Sequence, residues 1–502
     1  MKRSGSHLLL FLIALSFYSC NKVNTVFLNE VEFRDKVYAC WLGKNIGGTL
    51  GMPFEGDTAT RDITFYTNIR EGEPAPNDDL DLQLLWLKVM QENEAHTDAF
   101  RLGKYWLKYV PVDWNEYGVG KANMKAGFMP PVSGEFNNEK WKNSNGAWIR
   151  SEIWACLYPC NPLNAAKMAR EDACVDHGMA EGMFAEIFTA SVESAAFVVP
   201  DRDSLISFGL SMIPSDCRVA KAVRCAVKAK KSGKDWKQAR EEVVKNTIDL
   251  GWFQAPRNVA FTMIGWLYGD GDFGKSLCIA VNCGDDTDCT GATLGSILGI
   301  IGGTKAIPEN WRRPVGNKIT NVAINGFTSP PTLDILTDST ISMARRVRDR
   351  NNFKVIIGKG RTDTRLAREF LTTDRTALEK VWHYSPWKVV RHNHNWVITL
   401  DYHEEPYILP GTARKLTLSV SNVSDKAAIF NYGISGLPAG WIASGFPSDT
   451  VSIDKGGRRV TEFSIEAKAE VPDTAKMTFV LSLGGERDSV PFTLLTRKAN
   501  RK

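Results

Sequence analysis

Apolar side chains recur at intervals of three and four residues from Phe33 to about Arg350, the spacing that places them on one face of a helix. Glycine, proline and asparagine are concentrated between these segments, as in residues 127–134, and few stretches alternate with a period of two. We therefore predict an all-α domain over residues 33–350. Its clearest helices are predicted at residues 79–92, 180–198, 219–230, 259–267 and 341–350.

The pattern changes after about Asn352, where apolar and polar residues alternate as they do in half-buried strands. Short strands separated by glycine turns are typical of a β-sandwich. Residues 387–502 also resemble the Ig-like accessory modules of exported carbohydrate enzymes, and residues 351–386 are predicted to be a connector. The predicted fold class is therefore multidomain α plus β. Strands are predicted at residues 416–420, 451–453, 463–465, 477–481 and 492–494.

The first twenty residues have the character of an export signal. A basic start at Lys2 and Arg3 precedes an apolar run at residues 8–15, which is too short to span a bilayer. The run ends at Cys20 in a sequence that resembles a bacterial lipobox, so we predict a lipoprotein signal peptide over residues 1–20 and lipidation of Cys20. A plain secretory signal cleaved nearby is the alternative. Both interpretations predict an exported protein, and the first predicts a periplasmic or cell-surface lipoprotein anchored to the outer or inner membrane.

Composition narrows the classes of function. At 502 residues the chain is longer than one hydrophobic core usually supports, so two domains are expected. The 62 lysines and arginines are nearly balanced by 57 acidic residues and form no basic block with interleaved aromatics, which argues against a nucleic-acid partner. The cysteines after Cys20 lack regular spacing, which predicts small buried hydrophobes rather than disulfides or zinc ligands.

The densest acidic cluster comprises Asp285, Asp286 and Asp288, three carboxylates within four positions. Like charges this close repel one another, and a bound cation is a common remedy. N-capping of a helix would explain one of these aspartates but not three. The following segment is small and apolar, with glycines at 291, 295 and 299, so we expect a buried helix that another backbone approaches closely.

A second acidic cluster, comprising Asn77, Asp78, Asp79 and Asp81, also begins an amphipathic helix. Alone it would be an N-cap more often than a site. Two such clusters, each at a helix N-terminus whose dipole offsets part of the charge, favour one shared metal site that is rich in oxygen. Oxygen ligands suit Mg²⁺ or Mn²⁺, and also Ca²⁺, rather than zinc or copper.

The two clusters, in this order and separation, resemble the paired acidic motifs of the ADP-ribosylglycohydrolases, a family that includes the dinitrogenase-reductase-activating glycohydrolases. The resemblance spans residues 37–311 and implies the all-α fold of that family and a metal-dependent glycosidase activity. The other segments that carry it are 43–55 (GKNIGGTLGMPFE), 145–150 (NGAWIR), 176–177 (DH) and 307–311 (IPENW).

Carried over position by position, the resemblance implies a set of site residues. The implied catalytic residues are Glu55, Asp79 and Asp286. The implied metal ligands are Asn77, Asp78, Asp79, Asp286, Asp288 and Cys289. The implied substrate-binding residues are Gly146, His177, Asn282 and Gly284. A structural histidine with satisfied hydrogen bonds is the alternative for His177.

This chain departs from the family pattern at several positions. Asn77 and Cys289 replace two hydroxyl ligands; Asn77 still offers an amide oxygen, whereas the sulfur of Cys289 suits a softer ion than Mg²⁺. Lys44, Asn45 and Gly48 also differ from the usual first motif. We therefore expect either one or two bound ions.

The implied reaction is hydrolysis of an N- or O-glycosidic bond in an ADP-ribose-like or other furanose substrate, through an oxocarbenium-like state and without a covalent intermediate. Export favours a small-molecule riboside or a furanose glycan over ADP-ribosyl protein, as do tryptophans at positions 114, 141, 148 and 154, whose rings can stack on sugars. A catalytically inactive sugar- or nucleotide-binding lipoprotein is the alternative. A further candidate is a metal site in the β domain formed by His392, His394 and His403.

Overall fold

The computed structural model describes residues 25–362, 364, 374–446, 450–468, 472–483 and 486–497. The predicted signal peptide and the predicted lipidation site at Cys20 lie outside these residues. Within the described ranges, no helix combines the length and the hydrophobicity needed to cross a membrane. A large helical region is followed by a β-rich region, so the predicted α plus β fold class is confirmed.

Helices occupy most of the chain between residues 30 and 351. The five predicted helices are present as α2, α8, α10, α12 and α16. The starts of α12 and α16 lie four and eight residues before the predicted positions, 255 against 259 and 333 against 341. The helices are α1 (Glu30–Gly51), α2 (Asp78–Glu92), α3 (Ala99–Tyr109), α4 (Asn115–Lys125), α5 (Val132–Glu135), α6 (Glu152–Leu157), α7 (Pro162–Ala173), α8 (Glu181–Ala196), α9 (Arg202–Ser211), α10 (Arg218–Lys231), α11 (Trp236–Asn246), α12 (Ala255–Tyr268), α13 (Phe273–Asn282), α14 (Thr287–Gly302), α15 (Glu309–Val315) and α16 (Leu333–Asn351).

Helices α1 and α14 pack antiparallel in the core of the helical region, with their backbones in direct contact. Gly43 lies against the carbonyl of Gly295, and Gly47 lies against the carbonyl of Gly291, so that a Cβ at either position would collide with the opposite main chain. The predicted close approach of a backbone to the glycines of α14 is thus confirmed. This contact, the glycine seam, sets the C-terminal end of α1 beside the N-terminal end of α14.

Two elements of the segment predicted as a connector pack on the helical region. The strand β2 (Val355–Gly358) pairs in parallel with β1 (Val26–Asn29). Trp382, at the end of α17 (Arg375–Trp382), is buried, and its indole donates a hydrogen bond to the Met212 carbonyl at 2.9 Å. The sequence did not predict β1 and β2, because the two paired segments are more than 300 residues apart in the chain.

The β-rich region folds into two five-stranded sheets, in the orders β3-β4-β6-β10-β8 and β5-β12-β11-β7-β9. Alternate residues of facing strands, such as Leu416, Phe463 and Phe492, point into one core between the sheets. The five predicted strands lie within β6, β9, β10, β11 and β12. The strands are β3 (Lys388–His392), β4 (Trp396–Asp401), β5 (Tyr407–Ile408), β6 (Ala413–Asn422), β7 (Ala428–Ser435), β8 (Ile442–Ser444), β9 (Thr450–Ile453), β10 (Arg458–Glu466), β11 (Thr474–Leu483) and β12 (Glu486–Thr496).

The segment between α4 and α5 packs against this sandwich. Phe128, Met129 and Phe136 join the hydrophobic core of the sandwich. The Thr493 hydroxyl donates a hydrogen bond to the Ala126 carbonyl at 2.7 Å, directly after the last turn of α4. One end of α4 is therefore held by the sandwich, while its other end carries residues of the site described next.

Candidate functional site

A cavity of about 320 Å³ opens where the ends of α1, α2, α4 and α14 meet. We call it the cleft. One set of lining residues is acidic and comprises Glu55, Asp78, Glu116, Asp286 and Asp288. A second set is large and apolar and includes Trp114, Tyr117, Trp252 and Phe253. Acidic groups and flat rings thus share one concave surface, as expected of a site that binds a cation and a ring-shaped ligand.

Asp286 and Asp288 enter the cleft from the beginning of α14. The Asn145 amide donates to Asp286 Oδ2 at 2.6 Å, and the Asn77 amide donates to Asp288 Oδ2 at 3.3 Å. The other oxygens, Asp286 Oδ1 and Asp288 Oδ1, are buried and accept no hydrogen bond from the described residues. We call these two atoms the open oxygens. Asp286 is the N-cap residue of α14, yet its side chain makes no capping bond within the described chain, so capping does not account for it.

The beginning of α2 brings the second acidic cluster to the same place. The Asn77 side chain caps this helix by accepting a hydrogen bond from the Asp79 amide at 2.7 Å. Because Asn77 also donates to Asp288, it links the two clusters directly. The Tyr117 hydroxyl donates to Asp78 Oδ2 at 2.9 Å and orients that carboxylate in the cleft wall.

Asp79 lies deeper than Asp78 and is fully buried. The Lys44 ammonium lies 3.6 Å from Asp79 Oδ2, and the Cys289 thiol donates to Asp79 Oδ1 at 3.5 Å. Lys44 also pairs with Glu152 at 2.8 Å. A lysine from α1 therefore places a positive charge at the inner side of the acidic cluster.

Two overlapping groups of side chains are compact enough to hold a metal ion, with ligand atoms within 4.8 Å of one another. The outer group comprises Glu55, Asp286 and Asp288, and the inner group comprises Asp79, Asp288 and Cys289. The outer group contains oxygen ligands and both open oxygens, so it fits a hard cation such as Mg²⁺, Mn²⁺ or Ca²⁺. The inner group includes a thiol, which fits such a cation less well.

The pKa values of these carboxyls are raised, as expected for acids that are buried close to one another. Burial, followed by the carboxyl of Glu55, raises the pKa of Asp286 to about 7. Burial also raises the pKa values of Asp79 and Asp288 well above their usual range, and neighbouring acids contribute in the same direction. The pKa of the Cys289 thiol is raised by burial, which keeps the sulfur protonated. A bound cation would restore the charged carboxylates, because an opposite charge favours the ionised form.

Glu55 follows the short 3₁₀ turn at Met52–Phe54 and projects from the exposed rim of the cleft. The glycine seam accounts for its position, since α1 ends where α14 begins. Partial burial and the charge of Asp78 raise the pKa of its carboxyl. Glu55 is thus a carboxyl that borders both the outer group and the solvent.

The sequence analysis did not identify Glu116, which lines the cleft from the first turn of α4. Its side chain is 2% exposed, and its Oε2 has no hydrogen-bond partner in the described part of the chain. Burial and the charge of Asp176 raise its pKa to about 8, so the neutral acid prevails at pH 7. The available signal was an acidic residue between the aromatic residues Trp114 and Tyr117 at a helix start.

Two aspartates of the acidic clusters point away from the cleft. Asp81 accepts hydrogen bonds from the backbone amides of Val322 and Ala323, both at 2.6 Å, and so fixes a loop. Asp285 has a φ of 65° and pairs with Arg257 at 3.2 Å. The left-handed turn at Asp285 therefore separates it from Asp286 and Asp288.

Of the four residues predicted to bind substrate, Gly146 lines the cleft, where a Cβ would strike the Glu116 carboxyl. His177 is fully buried between Asp176 at 2.9 Å and the Ser144 hydroxyl at 3.1 Å. This placement matches the alternative of a structural histidine.

Asn282 and Gly284 lie against the chain that follows Glu55. Asn282 exchanges two side-chain hydrogen bonds with the backbone of Ile63, at 2.7 and 2.9 Å. Gly284 has a φ of 79° and packs against the carbonyls of Asp57 and Ala59. Both residues thus shape the loop beyond Glu55, and their predicted contact with a substrate stays a prediction.

Near the cleft, a second buried group of charges contains its own cation. Arg150 donates to Asp172 at 2.7 Å and to Asp176 at 2.7 and 3.1 Å, and all three side chains are inaccessible to solvent. The indoles of Trp86 and Trp154 also donate to Asp172. We call these three charged residues the Arg150 cluster.

The tryptophans and histidines singled out in the sequence have different locations. Trp114 is 44% exposed and lines the cleft, Trp141 is half-buried beside Phe253, and Trp148 and Trp154 are core residues. The three histidines of the β domain have separate neighbours and form no common site among the residues described. These neighbours are His96 for His392, Glu94 for His394 and Thr417 for His403.

Comparisons with known proteins give one extended match. A family model described as ADP-ribosylglycohydrolase matches residues 29–344. A search of curated proteins finds no match. Solved structures include a FixG-related protein from Vibrio parahaemolyticus, with 13% identity over 21% of this chain and 99% of that chain, at a TM-score of 0.18. They also include the Pseudomonas fluorescens alkylpurine DNA glycosylase AlkC bound to DNA, with 12% identity over 68% of this chain and 99% of that chain, at a TM-score of 0.15. TM-scores this low do not indicate a shared fold.

Proposed function

Because the chain belongs to the ADP-ribosylglycohydrolase family, we propose that it is a metal-dependent hydrolase that cleaves an N- or O-glycosidic bond of a furanose substrate. The family itself implies glycosidic hydrolysis. The single observation that supports metal dependence is the pair of open oxygens, which are buried, acidic and within reach of Glu55. Carboxylates buried without a partner are costly, and a cation in the cleft removes that cost.

The residues proposed to hold the cation are Glu55, Asp286 and Asp288, and Mg²⁺ or Mn²⁺ are the proposed ions. The chemistry that such a cation supplies when bound is the polarisation and orientation of sugar hydroxyls. Asn145 and Asn77 keep the two aspartates in place through hydrogen bonds to their other oxygens. The open oxygens therefore stay directed into the cleft.

Two glutamates are proposed to move protons. Glu116 is neutral at pH 7 and donates its proton to the leaving group as the bond to the anomeric carbon breaks. The cleft carboxylates, including Asp78 held by Tyr117, stabilise the positive charge that develops at that carbon. Glu55 accepts a proton from the water molecule that then attacks the anomeric carbon, and no covalent intermediate is formed.

The apolar wall supports a proposal about the leaving group. The cavity that the acids line also has aromatic rings in its wall, those of Trp114, Trp252 and Phe253. The side chain of Trp114 is partly exposed. A planar base or a sugar ring would stack on these faces. We therefore propose small ribosides or furanose glycans as substrates, in preference to ADP-ribosylated protein.

A hydrolysis screen tests this function. The metal-free protein is offered arabinofuranosides, ribosides and ADP-ribosyl-arginine, with Mn²⁺, with Mg²⁺ or with EDTA. We expect turnover of a furanoside that EDTA abolishes and Mn²⁺ restores. Asp62→Asn is a matched control, because Asp62 is a surface aspartate with a side chain 82% exposed, and it should leave turnover unchanged. Turnover that resists EDTA, or cleavage of ADP-ribosyl-arginine alone, would contradict the proposal.

A sugar-binding protein without activity is the second candidate. Binding of a riboside with no turnover at any metal concentration would identify it. Glu116 favours the enzyme. Its pKa is raised to about 8, close to neutral pH, and such a shift suits a residue that transfers protons, whereas a binding module has no need of one.

We also propose that the protein is exported and anchored to a membrane through Cys20. The basic start, the short apolar run and the cysteine that ends it support this proposal. Metabolic labelling with a radioactive fatty acid is the test. Label in the wild type and its absence in Cys20→Ser would support the anchor, whereas equal label in both would contradict it.

A further inference from the structure

Lys44 is an unusual residue for its position. It is 2% exposed, in a helix that packs against α14 through glycines. Its ammonium donates to the Ile149 carbonyl at 2.6 Å and to Glu152 at 2.8 Å, and it lies 3.6 Å from Asp79 Oδ2. These contacts fix a positive charge beside the inner group.

Asp79 Oδ2 accepts no hydrogen bond from the described residues and has the Lys44 ammonium as its counter-charge, whereas two other oxygens on this side accept hydrogen bonds. Asp79 Oδ1 accepts from the Cys289 thiol, and Asp288 Oδ2 accepts from the Asn77 amide. The amide oxygen of Asn77 is itself engaged in capping the Asp79 backbone at 2.7 Å. Neither Asn77 nor Cys289 therefore presents a free oxygen ligand to an ion in the inner group.

The outer group differs in having no cationic side chain within salt-bridge distance among the described residues. It contains both open oxygens and shares Asp288 with the inner group, and Glu55 completes it from the rim of the cleft. Positive charge is supplied by the chain at Asp79, whereas at Asp286 and Asp288 the described residues supply only single amide donors. A dication in the inner group would lie close to a buried ammonium, and like charges that are poorly screened repel strongly.

We propose that the protein binds a single divalent cation, in the outer group of Glu55, Asp286 and Asp288, and that the Lys44 ammonium occupies the role of a second cation beside Asp79. The inference rests on the proposed function only in requiring that the cleft binds a cation. It assigns to Lys44 a positioning role, since this residue neutralises Asp79 and does not line the cleft. Asn77 and Cys289 act in the same way as Lys44. All three side chains direct hydrogen-bond donors at oxygens that a second ion would need as ligands.

Calorimetric titration of the metal-free, full-length protein with Mn²⁺ tests the number of ions without any reference to activity. We expect one ion per wild-type chain and the spectrum of an isolated Mn²⁺ ion in electron paramagnetic resonance. Two ions per chain, or the spectrum of a coupled pair, would overturn the inference. Hydrolysis accompanied by two ions would overturn this inference alone, and one bound ion with no hydrolysis would overturn the proposed activity alone.

Variants locate the ion. Asp79→Asn should still bind one ion with an affinity about tenfold below that of wild type, at the lower end of the loss of about 10–100-fold that is typical of residues outside the coordination sphere. Asp286→Asn should lose at least about a hundredfold in affinity, as expected for a ligand. Loss of the ion in Asp79→Asn, with Asp286→Asn unaffected, would place the cation in the inner group and overturn the assignment.

The role of Lys44 is tested by a pair of variants. Lys44→Arg retains the charge and should bind one ion. The triple variant Lys44→Gln, Asn77→Thr, Cys289→Thr removes the charge and supplies hydroxyl oxygens, so it should take up a second Mn²⁺ beside Asp79. Circular dichroism before titration establishes that each variant is folded. If the folded triple variant binds one ion, the ammonium does not replace a cation; if it does not fold, two ions in Lys44→Arg or in wild type would still overturn the inference.

Discussion

The helical domain contains two groups of buried carboxylates that differ in whether a cationic side chain offsets their negative charge. In the Arg150 cluster, the guanidinium pairs with both Asp172 and Asp176. In the cleft, the open oxygens of Asp286 and Asp288 have no such partner among the described side chains. The first site contains a cation that pairs with its two aspartates, whereas the described chain supplies no cation to the open oxygens of the second. Because buried Glu186 beside the Arg150 cluster also lacks hydrogen-bond partners among the described residues, we take an unpaired buried carboxylate as a sign of function only where it also lines a cavity.

The pKa values of Asp176 and Asp286 express the same difference. In the Arg150 cluster, Arg150 and His177 outweigh the effect of burial and lower the pKa of Asp176 to about 2, although burial still raises the pKa of Asp172. In the cleft, burial dominates and raises the pKa of Asp286 to about 7. Glu116 lies between the two sites, since it lines the cleft and is acted on by the charge of Asp176. Four experiments sharpen this comparison, beginning with the largest effect.

Removing the cation of the complete site should have the largest effect on folding. Arg150→Met leaves Asp172 and Asp176 buried without a counter-charge, which is expected to cost about 3–5 kcal/mol of unfolding free energy. Urea unfolding followed by far-UV circular dichroism measures it. Arg313→Met, at a position 72% exposed, is the control and should stay within about 0.5 kcal/mol of wild type. A loss below about 1 kcal/mol in Arg150→Met would remove the distinction between the sites.

Removing an acid from the cleft should affect activity instead of folding. Asp288→Asn deletes a charge of both the inner and outer groups, and we expect kcat/KM to fall about 10²–10³-fold, or roughly 3–4 kcal/mol. The metal-free variant should be as stable as wild type or more stable, because one unpaired buried charge is gone. A destabilisation like that of Arg150→Met would show that Asp288 is a structural residue.

Adding metal should stabilise the cleft and leave the Arg150 cluster unaffected. At a Mn²⁺ concentration of 100 times its Kd, the unfolding free energy should rise by about 2.7 kcal/mol, because the folded state alone binds the ion. Urea unfolding with Mn²⁺ and with EDTA measures the difference. Asp286→Asn should show no rise, whereas Asp62→Asn should match wild type. A rise of equal size in Asp286→Asn would mean that Mn²⁺ binds elsewhere.

The last experiment concerns pH, and its effect is the smallest of the four when it is compared over a single pH unit. The pKa of Glu116 is raised to about 8 in the folded protein, from an ordinary value near 4.5, so the folded state holds a proton that the unfolded state has lost. Stability of the metal-free protein is therefore lost as pH rises through this interval, by up to about 1.4 kcal/mol per pH unit for this group.

Glu116→Gln should remove that part of the slope, and the difference between the two proteins isolates Glu116 from the other cleft acids. Unfolding at several pH values between 5 and 8 provides the measurement. Parallel curves for wild type and Glu116→Gln would show that Glu116 is already ionised in the folded state.

Much of the fold was predictable because long elements carry a repeating pattern. Helix α2 and the strand pair β6 and β10 span enough residues for periodicity to appear. The glycines of α14 also gave a correct prediction, since their spacing has meaning only if another backbone lies against them. Strands β1 and β2 could not be predicted, because their pairing joins positions more than 300 residues apart.

The candidate site was predictable at the level of clusters and not of single side chains. Asp285, Asp286 and Asp288 look equivalent in sequence, and only the left-handed turn at Asp285 turns its carboxylate towards Arg257. Similarly, Asp81 adjoins Asp79 in sequence yet holds a loop. Lys44 appeared in the sequence only as a departure from the first motif, and Glu116 only as an acid between Trp114 and Tyr117. Neither signal reveals a role, because a buried charge is recognised only by the groups around it.

The glycine seam has a consequence for which ions the protein accepts. Side chains can change rotamer to admit a wider guest, but two main chains in contact cannot slide apart without losing the packing of the whole helix pair. The distance between the main chain before Glu55 and the start of α14 is therefore fixed by helix packing. We expect this packing to limit how far the ligands can separate around a larger ion, although the glycines of the seam do not line the cleft.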